Sequence, residues 1–231
     1  MSTTARDAIL NKLRAAQRPF ENAPPRPRMY IPVANDLEDT SQDALVARFA
    51  AEMTNLKGEP QLVTGDDAAR EAVISALKAI GTTSILAWDF QHIPVAGLRE
   101  AIAEAGIDIL YPDTTDEYRT QMLATAEAAG ASVTGVTAAV AATGTMIVRT
   151  GAGRGRIATV LAPVHIAVIE AGQIVARLEN WVAAQRANGL SDVLDSANVC
   201  FISGPSRTGD IEMELILGVH GPGRVIAIIK Q

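Results

Sequence analysis

Gln61-Leu-Val-Thr-Gly-Asp-Asp-Ala-Ala-Arg-Glu-Ala-Val-Ile-Ser-Ala-Leu-Lys-Ala-Ile-Gly-Thr-Thr-Ser-Ile-Leu-Ala-Trp88 decides the fold class. Gln61 to Thr64 is a short apolar run of strand length. Asp66 to Ile80 places apolar residues at helical spacing and is closed by Gly81, and Ser84 to Trp88 is a second strand-like run. The alternation continues with a helix from Gly97 to Ala105 stopping at Gly106 and a strand from Ile107 to Tyr111. Thr114 to Glu117 then forms a capping box opening a helix that ends at Gly130. Strand, helix, strand, helix predicts a parallel sheet, because parallel neighbours need a long crossover between them.

The second half adds strands at Met146 to Arg149, Val164 to Ile169, Val199 to Ile202 and Val225 to Ile229, with a helix around Leu178 to Ala187. These strands are continuously apolar rather than alternating, which implies burial on both faces. The expected fold is therefore α/β: a three-layer, doubly wound, mostly parallel sheet with an N-terminal helical arm. There is no internal repeat. Residues 1–38 read as the arm, with Ile9 and Leu13 at helical spacing, and a linker that Pro24-Pro-Arg-Pro27 holds extended. Residues 39–231 read as the α/β domain. It is entered through a helix capped at Thr40-Ser41 whose Leu45, Phe49, Met53 and Leu56 share one face.

Composition narrows the function. With 231 residues and 48% hydrophobic content the chain can bury a sizeable core. A net charge of -6 argues against general nucleic-acid binding, which needs a basic footprint. Cys200 is the single cysteine, so the chain forms no internal disulfide and cannot supply the thiolates of an iron–sulfur cluster. Met1 to Arg14 lacks an apolar core of signal-peptide length and no apolar run approaches a bilayer span, so a cytoplasmic protein with no membrane insertion is expected.

Two glycine-bearing segments carry the chemistry. Gly204-Pro-Ser-Arg-Thr-Gly-Asp210 follows a buried strand and precedes Ile211 to Leu217, which has helical character; strand, turn and helix start form an anion-binding geometry. Ser206 and Thr208 supply hydroxyls, Arg207 a planar fork suited to carboxylate or phosphate, and Gly204 a close backbone approach. Ordinary helix capping, with Asp210 favouring the helix dipole, explains the same residues. Gly218-Val-His-Gly-Pro-Gly223 places His220 in a tight turn, where an imidazole can bind a carboxylate, move a proton or simply donate to a turn carbonyl.

Ligands of doubly wound sheets sit beyond the carboxyl ends of the strands, so the loops after Ile202 and around Gly144 are the candidates. His165, flanked by Val164 and Ile166, reads as a hydrogen-bonded core residue. Gly151-Ala-Gly-Arg-Gly155 is not a dinucleotide loop, since no helix follows; Arg154 and Arg156 remain possible anion contacts. No zinc-ligand spacing is present, and no metal is expected.

Taken in order, Thr134-Gly-Val-Thr-Ala-Ala-Val-Ala-Ala-Thr-Gly-Thr145, Ala162-Pro-Val-His165, Ser203-Gly-Pro-Ser-Arg-Thr-Gly-Asp-Ile-Glu212 and Gly218-Val-His-Gly-Pro222 resemble the LUD-domain family of lactate-utilisation protein C (LutC-like). The resemblance implies a NagB/RpiA/CoA-transferase-like fold, that of phosphosugar isomerases and CoA transferases. It also implies a role beside iron–sulfur proteins in oxidising L-lactate to pyruvate. On that reading the chain binds no cofactor, the clusters belong to partner proteins, and oligomers are possible. Thr143, Gly144 and Thr145 would line the wall opposite Arg207, and His220 would be the proton-transfer group. The family's first motif carries acids where this chain has Thr137 and Ala142, neither of which can act as a general base. Two other functions fit the same residues: a stand-alone enzyme or sensor for a phosphosugar or CoA ester, and a non-catalytic structural subunit.

Overall fold

The computed structural model describes residues 4–16, 37, 39–111, 119–209 and 215–231. The Pro24 to Pro27 linker, the Thr114 to Glu117 capping box and Asp210 lie outside the described residues. The chain divides into two units, 1–36 and 37–231. The first contains helix α1 (Ala5–Ala15), capped by the Thr4 side chain accepting from the Asp7 N–H and burying none of its residues.

The second unit opens with α2 (Gln42–Asn55), whose cap is Ser41 Oγ accepting from the Ala44 N–H and whose Leu45, Val46, Phe49 and Met53 are buried. Then follow β1 (Glu59–Val63), α3 (Gly65–Ile80), β2 (Ser84–Ala87), α4 (Leu98–Glu104), β3 (Asp108–Leu110), α5 (Arg119–Glu127), β4 (Ala131–Gly135), β5 (Ala138–Val140), β6 (Thr145–Thr150) and β7 (Val164–Glu170). The remainder is β8 (Ile174–Val175), α6 (Leu178–Ala187), α7 (Ser191–Leu194), β9 (Asn198–Ile202), β10 (Arg207–Gly209), β11 (Leu215–Leu217) and β12 (Arg224–Lys230).

Six strands form a central sheet in the order β1-β12-β7-β4-β2-β3, with every neighbouring pair parallel. The mostly parallel α/β fold expected from the alternation of apolar runs is the one observed. Residues 166–169 of β7 and 225–229 of β12 are all buried, as their unbroken apolar runs require of strands covered on both faces. Among the described residues no helix is long and apolar enough to cross a membrane.

Three local expectations change. The runs at Met146 to Arg149 and Val199 to Ile202 do not join the central sheet; they become β6 and β9 of a second, four-stranded sheet ordered β8-β5-β6-β9. That sheet has a small apolar cluster of its own, in which Trp181 of α6 covers Ala138, Val140 and Ile147. Apolarity alone does not say which sheet a buried strand enters. The helix expected over Ile211 to Leu217 is also not formed at its described end, because Leu215–Leu217 pairs antiparallel with Arg207–Gly209. A three-residue Leu-Ile-Leu run is too short for periodicity to separate helix from strand. Finally β4, which lies between β2 and β7, is a strand that the sequence Ala-Ser-Val-Thr-Gly, without an apolar run, does not announce.

Helix α2 packs on β1 of the central sheet and on β8 of the second, so one amphipathic helix ties the two sheets together. Its end also meets the loop that follows β9. A Cβ on Gly204 would lie 2.8 Å from the Leu56 carbonyl oxygen, and Gly204 has φ +77°, so only glycine seats this loop on the helix terminus.

Candidate active site

Loop 203–207 leaves the second sheet after β9, and loop 218–222 leads into β12 of the central sheet; the two meet through Ser206. The Ser206 N–H donates to the Pro222 carbonyl at 2.8 Å, and the Ser206 carbonyl accepts from the Gly218 N–H at 3.0 Å. Its Oγ accepts from the His220 N–H at 3.3 Å. Loop 218–222 is anchored on its other side by the Gly223 N–H donating to the Pro163 carbonyl at 3.0 Å. Three groups of one residue thus fix the imidazole-bearing turn against the guanidinium-bearing one.

Between them lies a cleft of about 350 Å³, lined among others by Ser203, Ser206, Arg207, His220, Thr159 and His165. Arg207 is exposed, and one of its terminal nitrogens donates to the Ser203 carbonyl at 3.3 Å, which leaves most of its five donors free for a ligand. Among the described residues no carboxylate forms an ion pair with it. A small anion with two acceptor oxygens matches such a fork. No three His, Cys, Asp or Glu side chains among the described residues converge in a way that could hold a metal ion.

Of the residues singled out in the sequence, Gly204, Ser206, Arg207 and His220 share this cleft. The others among the described residues do not line it. Thr208 lies in β10, paired with Ile216. Gly144, at φ +57°, faces the backbone of α2 at Glu52 and Met53, so the turn 143–145 packs on that helix instead of forming the expected opposite wall. It is linked to the cleft indirectly, since Thr143 Oγ1 lies 2.8 Å from Thr145 Oγ1, which lies 2.9 Å from Ser203 Oγ. Arg154 and Arg156 border a different depression with Asn198 and Gly151.

The departures at Thr137 and Ala142 also fall outside the cleft lining. The backbone N–H of each is engaged, Thr137 with the Ile147 carbonyl and Ala142 with that of Ala176.

The cleft includes the expected loop after Ile202, at the carboxyl end of β9, yet it does not lie beyond the carboxyl ends of the central strands. His165 is the second residue of β7, and loop 218–222 precedes β12, so the cleft opens at the amino ends of the central strands. The carboxyl ends of the same two strands are closed by ion pairs: Lys230 Nζ lies 2.8 Å from Asp66 and 3.0 Å from Glu170. Burial alone would lower the Lys230 pKa, but the hydrogen bonds to Asp66 and Glu170 outweigh it and raise it.

His165 is the residue that sequence reasoning assigned to the core without connecting it to the site. It is wholly buried, and Nε2 lies 2.8 Å from Thr134 Oγ1, as expected of a core histidine, yet it also contributes to the cleft lining. Burial holds its pKa down at about 4, so the ring is neutral at physiological pH. The signal was its place directly after Ala162-Pro163-Val164, at the mouth of a strand rather than within it.

The family model for the LUD domain matches residues 46–229. The chain belongs to the LUD-domain family. LUD-domain relatives named "Lactate utilization protein C" match most of its length. The one from Halalkalibacterium halodurans is 26% identical over 84% of this chain and 83% of its own. The one from Macrococcus caseolyticus is 28% identical over 87% and 84%, and the one from a Geobacillus species is 26% identical over 96% and 92%. A solved structure of a DUF162 family protein from Deinococcus radiodurans superposes with a TM-score of 0.58 at 20% identity, covering 84% of this LUD-domain chain and 100% of that one. At that identity the likeness speaks for the fold.

Proposed function

We propose that this protein is a component of bacterial L-lactate utilisation that binds a small carboxylate in the cleft between loops 203–207 and 218–222 and works with iron–sulfur partner proteins in the cytoplasm. The observation that carries the reading is the triple hydrogen bonding of Ser206, which holds Arg207 and His220 at one cleft. The pathway rests on the relatives named "Lactate utilization protein C", which align with this chain over more than four-fifths of its length.

In this reading the guanidinium of Arg207 takes the carboxylate, and the Ser206 hydroxyl, whose oxygen accepts from the His220 N–H, keeps its own proton to donate to the ligand. His220 is the proton-transfer group of the cleft. Oxidation of L-lactate to pyruvate releases two protons and two electrons; His220 would take the hydroxyl proton, the second proton would leave to solvent, and iron–sulfur clusters of partner proteins would supply the two-electron acceptor. Cys200 is the single cysteine, so this chain has no set of thiolates for a cluster.

The test is genetic. In a strain with no other route for L-lactate, deletion of the gene should abolish growth on L-lactate but not on pyruvate. The wild-type chain should restore that growth and Arg207→Ala should not. Undiminished growth of the deletion strain on L-lactate would remove the proposal.

A further inference from the structure

His165 stands in register with Ser132 of β4 on one side and Val225 of β12 on the other, where the amino ends of the three strands meet the cleft. Its side chain has no exposed surface, and neither has that of Thr134, which occupies Nε2. The remaining polar atom, Nδ1, is buried without a hydrogen-bond partner. Both tautomers leave it unsatisfied. If the Thr134 hydroxyl donates to Nε2, Nδ1 carries the ring proton and lacks an acceptor. If Nε2 donates to Thr134, Nδ1 presents a lone pair and lacks a donor.

An unsatisfied buried polar atom destabilises the fold, because its lost hydration is not replaced. The rest of β7 from Val164 to Ile169 is aliphatic, so an aliphatic residue would fit this strand without that cost. The cost is explained if the partner of Nδ1 arrives with a ligand, since the residue borders the cleft that Arg207 also borders.

The two groups ask for different chemistry. An exposed guanidinium takes a carboxylate, whereas a wholly buried imidazole kept neutral by burial cannot compensate a second negative charge on the floor. What it can meet is a hydroxyl, with Nδ1 accepting or donating, or a carbonyl oxygen, with Nδ1 donating. We propose that His165 is the specificity-determining residue of the cleft, recognising through Nδ1 the hydroxyl or oxo oxygen of a small monocarboxylate whose charged end is held by Arg207. This rests on reading the cleft as the carboxylate site for L-lactate and adds the residue that discriminates a hydroxy or oxo acid from an unsubstituted one. Thr134 is then a positioning residue, setting the tautomer and orientation of the ring from within the sheet.

Calorimetric titration of the purified chain with L-lactate and with propanoate tests it, because the two acids share their carbon skeleton and differ by the hydroxyl. L-Lactate should bind at least about tenfold more tightly, since a site that hydrogen-bonds a hydroxyl rejects the analogue lacking it. His165→Met should erase that preference while keeping propanoate affinity. In wild-type protein carrying ¹⁵N-histidine, the His165 Nδ1 resonance should move with L-lactate and stay with propanoate, a readout that holds even if the variant fails to fold. Equal binding of both acids, lost in Arg207→Ala, would overturn the role of His165 and leave the carboxylate site standing. A preference for L-lactate that survives in folded His165→Met would do the same. Binding of neither acid would overturn both.

Discussion

His165 is held neutral inside the sheet, and that has a consequence for stability as well as for recognition. Its pKa is about 4 in the folded chain, below the ordinary value of 6.5, because burial penalises the imidazolium. The unfolded chain therefore binds the proton more readily throughout that window, and stability falls as pH drops from 6.5 towards 4. The loss amounts to about 2 kcal/mol between pH 7.5 and pH 5, from the cost of 1.36 kcal/mol per pKa unit. Glu59 and Asp66, lowered by hydrogen bonds from Arg224 and Lys230, add losses in the same direction only below the usual carboxylate range, so pH 5 isolates the histidine. Urea midpoints at the two pH values should show this loss in the wild type and little of it in His165→Gln. Equal losses in both would contradict it. The sequence made this residue legible as a buried histidine but not as a cleft residue, because which strand mouth opens onto a cavity depends on strand order, and strand order is not written in any single run.

At the scale of elements, the site depends on α2 as a seat. Its buried Phe49 and Met53 fix the helix between the sheets, and its end receives Gly204 at φ +77°, with the Leu56 carbonyl where a Cβ would go. Gly204→Ala combines a left-handed backbone with that overlap and should cost about 1–3 kcal/mol, seen as a lowered urea midpoint. Wild-type stability in this variant would mean that the loop does not rest on the helix as described. Helix α2 was legible down to its cap at Ser41, because its apolar face repeats at helical spacing and its stop is marked by Gly58 and Pro60. The segment after Ile202 was less so. A glycine-rich turn leading to Leu-Ile-Leu fits a helix start and a hairpin equally well, and the pairing of Thr208 with Ile216 is a tertiary fact.

Over the whole molecule, the alternation of apolar runs and helices identified the parallel sheet, and long apolar stretches identified two of its interior strands, β7 and β12. What they did not convey is that the chain leaves that sheet after β4 to build a second one and returns for β7. A second departure, through β8 and β9 after β7, brings loop 203–207 to the amino ends of the central strands, whereas the rule for open sheets points to the carboxyl ends, closed here by Lys230, Asp66 and Glu170. The two motifs named from the sequence, one with Arg207 and one with His220, nonetheless share a cleft because the first follows a strand of the second sheet and the second precedes a strand of the first.

The measurement that bears most directly on this arrangement is the thermal unfolding of the wild-type chain and of Arg207→Ala with increasing L-lactate. A ligand at a hundredfold excess over its Kd stabilises a protein by about 2.7 kcal/mol. The wild-type Tm should rise with L-lactate concentration and that of Arg207→Ala should not; an equal rise in both, or no rise in either, would rule out a carboxylate site at Arg207.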